Sequence, residues 1–243
     1  MHLNLPVPVS ALAIAAHPDD VEFGCGATLA KWAAGGAVVH HLVCTDGSKG
    51  SWDAADDTTA LVATRQDEQR AAAKALGASG EVVFLGWTDG ELASGLEERR
   101  AVARVIRELK PEVILGHDPW RRYRLHPDHR NAGFLAVEGI VAARDPHFYP
   151  ELGLPHWRPS ALLLWEADEV DHVEDVTGHT DAKLAALLCH ESQLRSTMAI
   201  EVGSPAEDAQ RAAFRRRVLD RLATFGRQAG VAHGEGFKLI SEL

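Results

Sequence analysis

Cysteine is scarce in this chain. The three in 243 residues, Cys25, Cys44 and Cys189, stand far apart with no Cys-x-x-Cys pair. So sparse and odd a set gives no disulfide framework and no thiolate metal centre, and it fits a reducing compartment. A basic excess is also missing: 35 acidic residues outweigh 25 basic ones, for a formal net charge of -10. That argues against a nucleic-acid or anionic-membrane partner. No apolar run approaches the ~20 residues of a membrane span. The first residues, broken by Pro6 and Pro8 and with no basic stretch ahead of the apolar ones, do not read as a signal peptide. The expected compartment is the cytoplasm. What remains, 46% hydrophobic and 25% charged, is a globular composition. It is sufficient for one domain over residues 1–243 with a full core; homo-oligomers stay open.

Five short apolar runs punctuate the chain: Ala11 to Ala16, Ala37 to Thr45, Glu81 to Gly86, Pro111 to Gly116 and Ala161 to Trp165. Each has strand length. Helical patterns separate them, over Gly24 to Gly35, from Thr64 to Leu76, over Leu96 to Leu109 and from about His129 onward. Further helices are expected over Asp181 to Gln193 and Pro205 to Arg227, with Gly230 to Leu243 as a tail. Strands alternating with helices predict an α/β fold: a doubly wound, mainly parallel sheet with helices on both faces. In the strand order 3-2-1-4-5, ligands bind where the chain reverses, between strands 1 and 4.

The loops after those two strands carry the chemistry. His17-Pro18-Asp19-Asp20 follows the first, and His126-Pro127-Asp128-His129 lies shortly after the fourth. One His-Pro-Asp is noise, but two at the predicted switch point suggest one site built from two loops. A catalytic zinc takes three protein ligands and keeps one position open. The six candidates are His17, Asp19, Asp20, His126, Asp128 and His129. Three can bind the metal. A carboxylate left over can take a proton from water, and a spare imidazole can serve an oxyanion or leaving group. Spacing alone does not say which Asp binds and which acts as base.

Ala16-His17-Pro18-Asp19-Asp20, with Glu22 and Gly24-x-Gly26, resembles the signature of the PIG-L/LmbE family of zinc-dependent N-deacetylases. Thr45-Asp46-Gly47, Arg65-x-x-Glu68, Leu76-Gly77, Asp89-Gly90, His126-Pro127-Asp128-His129 and His190-x-Ser192-Gln193 extend the likeness over roughly residues 11 to 193. The resemblance implies a Rossmann-like sheet and removal of the N-acetyl group from an N-acetylglucosamine-type sugar or conjugate. It implies one zinc ion (or another divalent metal) per chain, held by His17, Asp20 and His129. Asp19 would be the general base, His126 the polarising imidazole and Asp128 its orienting partner. Arg65 and Asp89 would grip sugar hydroxyls. Two departures stand out. Cys25 replaces a common Gly, and the bulky Pro119-Trp120-Arg121-Arg122-Tyr123-Arg124 loop differs from the Gly-rich version of the thiol-biosynthesis members, which argues against their substrates.

Other readings compete. Asp and Pro also cap helices, so each motif has a purely structural explanation. Gly24-Cys25-Gly26 is only half a dinucleotide loop, and tight backbone packing is expected there instead. A phosphoesterase with two metals would need more carboxylates and a bridging ligand. A metal-dependent amidase on a thiol or glycopeptide conjugate, or a non-catalytic metal- or sugar-binding module, are the alternatives, though a pure binder has no use for Asp19 beside Asp20.

Overall fold

Runs of small and branched apolar residues set the strands, and amphipathic segments between them set the helices. The computed structural model describes residues 1–243. In chain order the elements are β1 (His2–Leu3), β2 (Ser10–Ala15), α1 (Asp20–Ala34), β3 (Val38–Thr45), α2 (Thr58–Ala75), β4 (Val82–Trp87) and α3 (Leu96–Leu109). Then follow β5 (Val113–His117), α4 (Pro127–Arg144), β6 (Ala161–Trp165), β7 (His172–Asp175), α5 (Thr180–Leu188), α6 (Glu207–Ala229) and β8 (Gly234–Ile240). No helix is long and apolar enough to cross a membrane.

One eight-stranded sheet runs β1-β7-β8-β6-β5-β2-β3-β4. Its five expected strands, β4-β3-β2-β5-β6, are parallel and lie in the predicted 3-2-1-4-5 order. β2 is central. Ala11, Ala13 and Ala15 join the core beneath α1, while Leu12 and Ile14 join the opposite core of α3 and α4. Alternate residues of a strand face opposite sides, so a strand covered on both faces reads as an unbroken apolar run. A third cluster, with Leu184, Phe214, Val218 and Leu222, forms under α5 and α6. The chain reverses between β2 and β5, and the two His-Pro-Asp loops leave from there.

Among the departures from expectation, three change the architecture most. α2 begins at Thr58 rather than Thr64, because the Asp57 carboxylate accepts from the N–H groups of Thr59 and Ala60 at 2.9 and 3.2 Å. Thr64 instead donates its hydroxyl to the Ala60 carbonyl within the helix. The helix expected to Gln193 stops at Leu188, and a separate 3-10 turn spans Glu191–Gln193. The expected tail contains β8, which inserts antiparallel between β6 and β7. Its glycines are steric necessities: a Cβ on Gly234 would lie 2.6 Å from Val173, and one on Gly236 2.5 Å from the Phe225 ring.

Candidate active site

His17 lies in the short turn between β2 and α1, and His126 caps α4 with Pro127 at its first position, a place Pro favours. The two loops meet: the His17 ring is 4.6 Å from that of His126 and 5.1 Å from that of His129. All six motif residues come together.

The buried His17 ring is oriented from behind. Its Nε2 is 3.1 Å from Asp89 Oδ1 and 3.2 Å from Asp128 Oδ2. Ionised carboxylates only accept, so Nε2 carries a proton and donates it to them, which leaves Nδ1 as the nitrogen a cation could take by displacing its proton. That Nδ1 is 3.3 Å from Asp20 Oδ2 and 3.2 Å from His129 Nε2, and His129 Nε2 is 3.3 Å from Asp20 Oδ1. Two ring nitrogens and a carboxylate from three side chains thus converge, which suits a divalent cation. Burial opposes charge on His17, but Asp128, Asp20 and Asp89 outweigh it and hold its pKa well above the ordinary value. Burial depresses His129 to about 4 and keeps it neutral, as a ligand must be. Burial alone would raise Asp20, yet His129 and His117 hold its carboxyl well below the usual range.

Three overlapping His/Asp groups lie here, His17 with His126 and His129, Asp20 with His117 and His129, and His17 with Asp89 and Asp128. Trp165 Nε1, which can only donate, lies 3.0 Å from His117 Nδ1. The His117 proton therefore sits on Nε2, 3.3 Å from Asp20 Oδ2, where it steadies the carboxylate. His126 Nδ1 accepts from the Asp128 backbone N–H at 3.3 Å. Its Nε2–H is left to donate outward from an exposed ring, whose pKa burial and the neighbouring His17 depress.

Asp19 is the carboxylate without a ligand's place in this cluster. It is 7% exposed and makes no helix-capping bond. Burial pushes its carboxyl up to about 6, against the pull of Arg65, whose Nη2 is 3.6 Å from Asp19 Oδ2.

The expected role of Asp128 needs correction. Its carboxylate does not orient His126. It is fully buried, and it accepts from His17 Nε2, from the Gly90 N–H at 2.6 Å and from the Leu92 N–H at 3.3 Å. Lying in the first turn of α4, Asp128 turns its side chain inward beneath His17, and only its amide meets His126. The expected sugar contacts also differ. Arg65 donates to the carbonyls of Gly47 and Pro18 at 2.8 and 2.6 Å, and Asp89 Oδ2 accepts from the Lys49 N–H at 3.0 Å. Both line the cavity, but their hydrogen bonds run to the protein.

The cavity above these residues has a volume of about 550 Å³, and most of its lining residues are polar; Phe23, Trp52 and Trp165 are its hydrophobic members. Such a size suits a small ligand. Gly24 lies against Trp165, where a Cβ would come within 2.6 Å of the indole, so the packing role expected for Gly24 holds. Sequence reasoning missed the roles of Trp165 and of Gln69, whose side chain meets Asp19. No motif marks either one.

A family model, PIG-L, described as GlcNAc-PI de-N-acetylase, matches residues 12–140. A diacetylchitobiose deacetylase of Thermococcus kodakarensis is 35% identical over 185 residues, covering 75% of this chain and 69% of that one. A 1D-myo-inositol 2-acetamido-2-deoxy-alpha-D-glucopyranoside deacetylase of Streptomyces avermitilis is 36% identical over 179 residues, 63% of this chain and 60% of its own. Among solved structures, the N,N'-diacetylchitobiose deacetylase from Pyrococcus horikoshii superposes with a TM-score of 0.83 at 29% identity, covering 96% of this chain and 84% of that one.

Proposed function

Because the chain belongs to the PIG-L family of de-N-acetylases, we propose that it hydrolyses the acetamide of an N-acetylglucosamine-type sugar or conjugate, releasing acetate with the help of one zinc ion. The observation that carries this reading is the convergence of His17 Nδ1, the Asp20 carboxylate and His129 Nε2 beside a second carboxylate, Asp19, that has no place among them. The two imidazole nitrogens stand 3.2 Å apart and each lies 3.3 Å from one oxygen of Asp20, close enough for all three side chains to reach one zinc ion.

His17, Asp20 and His129 would hold the ion. When bound, it supplies Lewis acidity at the acetyl carbonyl and lowers the pKa of a water to about 7. The protein supplies the remainder. Asp19 takes the proton of the attacking water; a carboxyl raised by burial is a stronger base than a solvated one and lies nearer the working pH. His126 donates its Nε2–H to the carbonyl oxygen as negative charge develops there. Asp19 or His126 then returns a proton to the departing amine. Asp89 and Asp128 hold the His17 Nε2–H and so turn Nδ1 toward the ion's place, and Arg65 braces the two loops that carry Pro18 and Gly47.

Metal analysis combined with acetate release from N-acetylglucosamine and N,N'-diacetylchitobiose tests this reading. One equivalent of zinc and acetate release that a chelator abolishes and zinc restores are expected, with both lost in His129→Ala. A metal-replete protein that releases no acetate from any N-acetylglucosamine derivative would sink it, and a non-catalytic binding module would take its place.

A further inference from the structure

Asp19 holds φ at 99°, a left-handed setting that residues with a Cβ rarely adopt. At a helix start an aspartate ordinarily turns its carboxylate back onto the first N–H groups. Here it makes no such bond and lines the cavity instead. An unusual backbone of this kind persists only where its surroundings over-determine it.

The surroundings are specific. The Pro18 carbonyl accepts from Arg65 Nη2 at 2.6 Å, and the Asp19 carbonyl accepts from the Phe23 N–H at 3.1 Å. The Asp19 N–H itself donates to Oε1 of Gln69 at 3.0 Å. Gln69 is fully buried, one helical turn beyond Arg65 in α2, so two side chains on one helix face grip consecutive residues of the turn. The Gln69 amide has one allowed orientation. Its Nε2 donates to Glu22 Oε1 at 2.8 Å and to His41 Nδ1 at 3.1 Å, while Glu22 Oε2 meets His190 Nε2 at 3.1 Å. Flipping the amide would set donor against donor at Asp19 and acceptor against acceptor at Glu22. A leucine or methionine would fill the same space but leave the Asp19 amide without its acceptor.

We propose that Gln69 is a positioning residue for the reaction. It fixes the Asp19 amide in the left-handed turn that aims the Asp19 carboxylate into the cavity, and Glu22, His41 and His190 lock Gln69 in the one orientation able to do so. The inference rests on reading Asp19 as the base.

The test is Gln69→Met, which keeps side-chain length and removes the acceptor. It is assayed on N,N'-diacetylchitobiose and on its N-trifluoroacetyl analogue. Bound zinc and KM are expected to stay within about twofold of the wild type. Misplacing a catalytic group costs about 100-fold where the error nears 1 Å, so kcat on the acetyl substrate should fall about 10- to 100-fold. The loss should be smaller on the trifluoroacetyl substrate, whose more electrophilic carbonyl asks less of the base. Unchanged kcat, or an equal loss on both substrates that tracks folded or zinc-loaded protein, overturns the proposal. Should Gln69→Met not fold, amide exchange in the wild type decides: protection of the Asp19 N–H is expected, and exchange at the rate of an unprotected loop amide overturns it. A wild type that releases no acetate refutes the enzymatic reading itself, whereas the exchange result reports on the Gln69 contact alone.

Discussion

Three carboxylates lie within 3.3 Å of the His17 ring nitrogens, and their positions divide the work. Asp20 stands beside Nδ1, and Asp89 and Asp128 stand beside Nε2. Replacing a group of the latter kind weakens a metal site about 10- to 100-fold without touching substrate. Asp128→Asn should therefore lower zinc affinity by that factor, as read by competition with a chelator, and leave kcat at saturating zinc within a few-fold of the wild type. Asp19→Asn should do the reverse. Zinc binding should survive, and kcat should fall about 10²- to 10⁴-fold, the usual range for a lost general base. Unchanged zinc affinity with a large loss of kcat in Asp128→Asn would return Asp128 to His126, where the sequence had put it. The membership of the site was legible in the sequence because six candidate side chains fall in two short loops. The partner of Asp128 was not, because the side-chain direction in the first turn of α4 depends on what lies beneath it, and nothing in His126-Pro127-Asp128-His129 describes that.

At the scale of elements, β8 and α1 are joined by buried charge. Glu235, between the two glycines that let β8 approach α6, accepts from the N–H groups of Ala27 and Thr28 at 3.1 and 2.7 Å. These lie just past the non-helical residue Cys25, which kinks α1 and disturbs its ladder of bonds. Lys183 of α5 supplies the countercharge at 2.5 Å, with the two side chains 5% and 3% exposed. Removing one partner of such a pair leaves a buried charge uncompensated and costs about 3 to 5 kcal/mol. Lys183→Met should lose that much stability in urea unfolding. Breaking the exposed Arg215–Asp181 pair, with side chains 55% and 81% exposed, should cost about 0 to 1 kcal/mol. Equal effects would mean that the buried pair does not clamp α1. The parallel strands were readable because burial on both faces leaves a continuous apolar signature. β8 was not, since Gly234, Glu235 and Gly236 carry the composition of a turn, and only packing against Phe225 and Lys183 makes them a strand.

For the whole molecule, the order β4-β3-β2-β5-β6 brings loops separated by more than a hundred residues to one point. The sequence anticipated that juxtaposition because a doubly wound sheet has one switch point and both motifs follow the strands that flank it. The same geometry couples metal to global stability. An unfolded chain cannot hold His17, Asp20 and His129 together, so a zinc ion held by them would bind the native state and shift unfolding by mass action. At a free zinc concentration 100 times its dissociation constant, the gain is about 2.7 kcal/mol. For a chain of this size each kcal/mol raises Tm by about 2 to 4 °C, so the melting temperature should rise roughly 5 to 11 °C on zinc addition. Zinc competes with protons for His17 Nδ1, the Asp20 carboxylate and His129 Nε2, so the rise should be larger at pH 8 than at pH 6. His129→Ala, with one of the three ligands gone, should show little or none of it. Differential scanning calorimetry on both proteins at the two pH values measures the effect. An equal rise in the wild type and the variant would place the stabilising ion elsewhere on the molecule and remove His129 from the site.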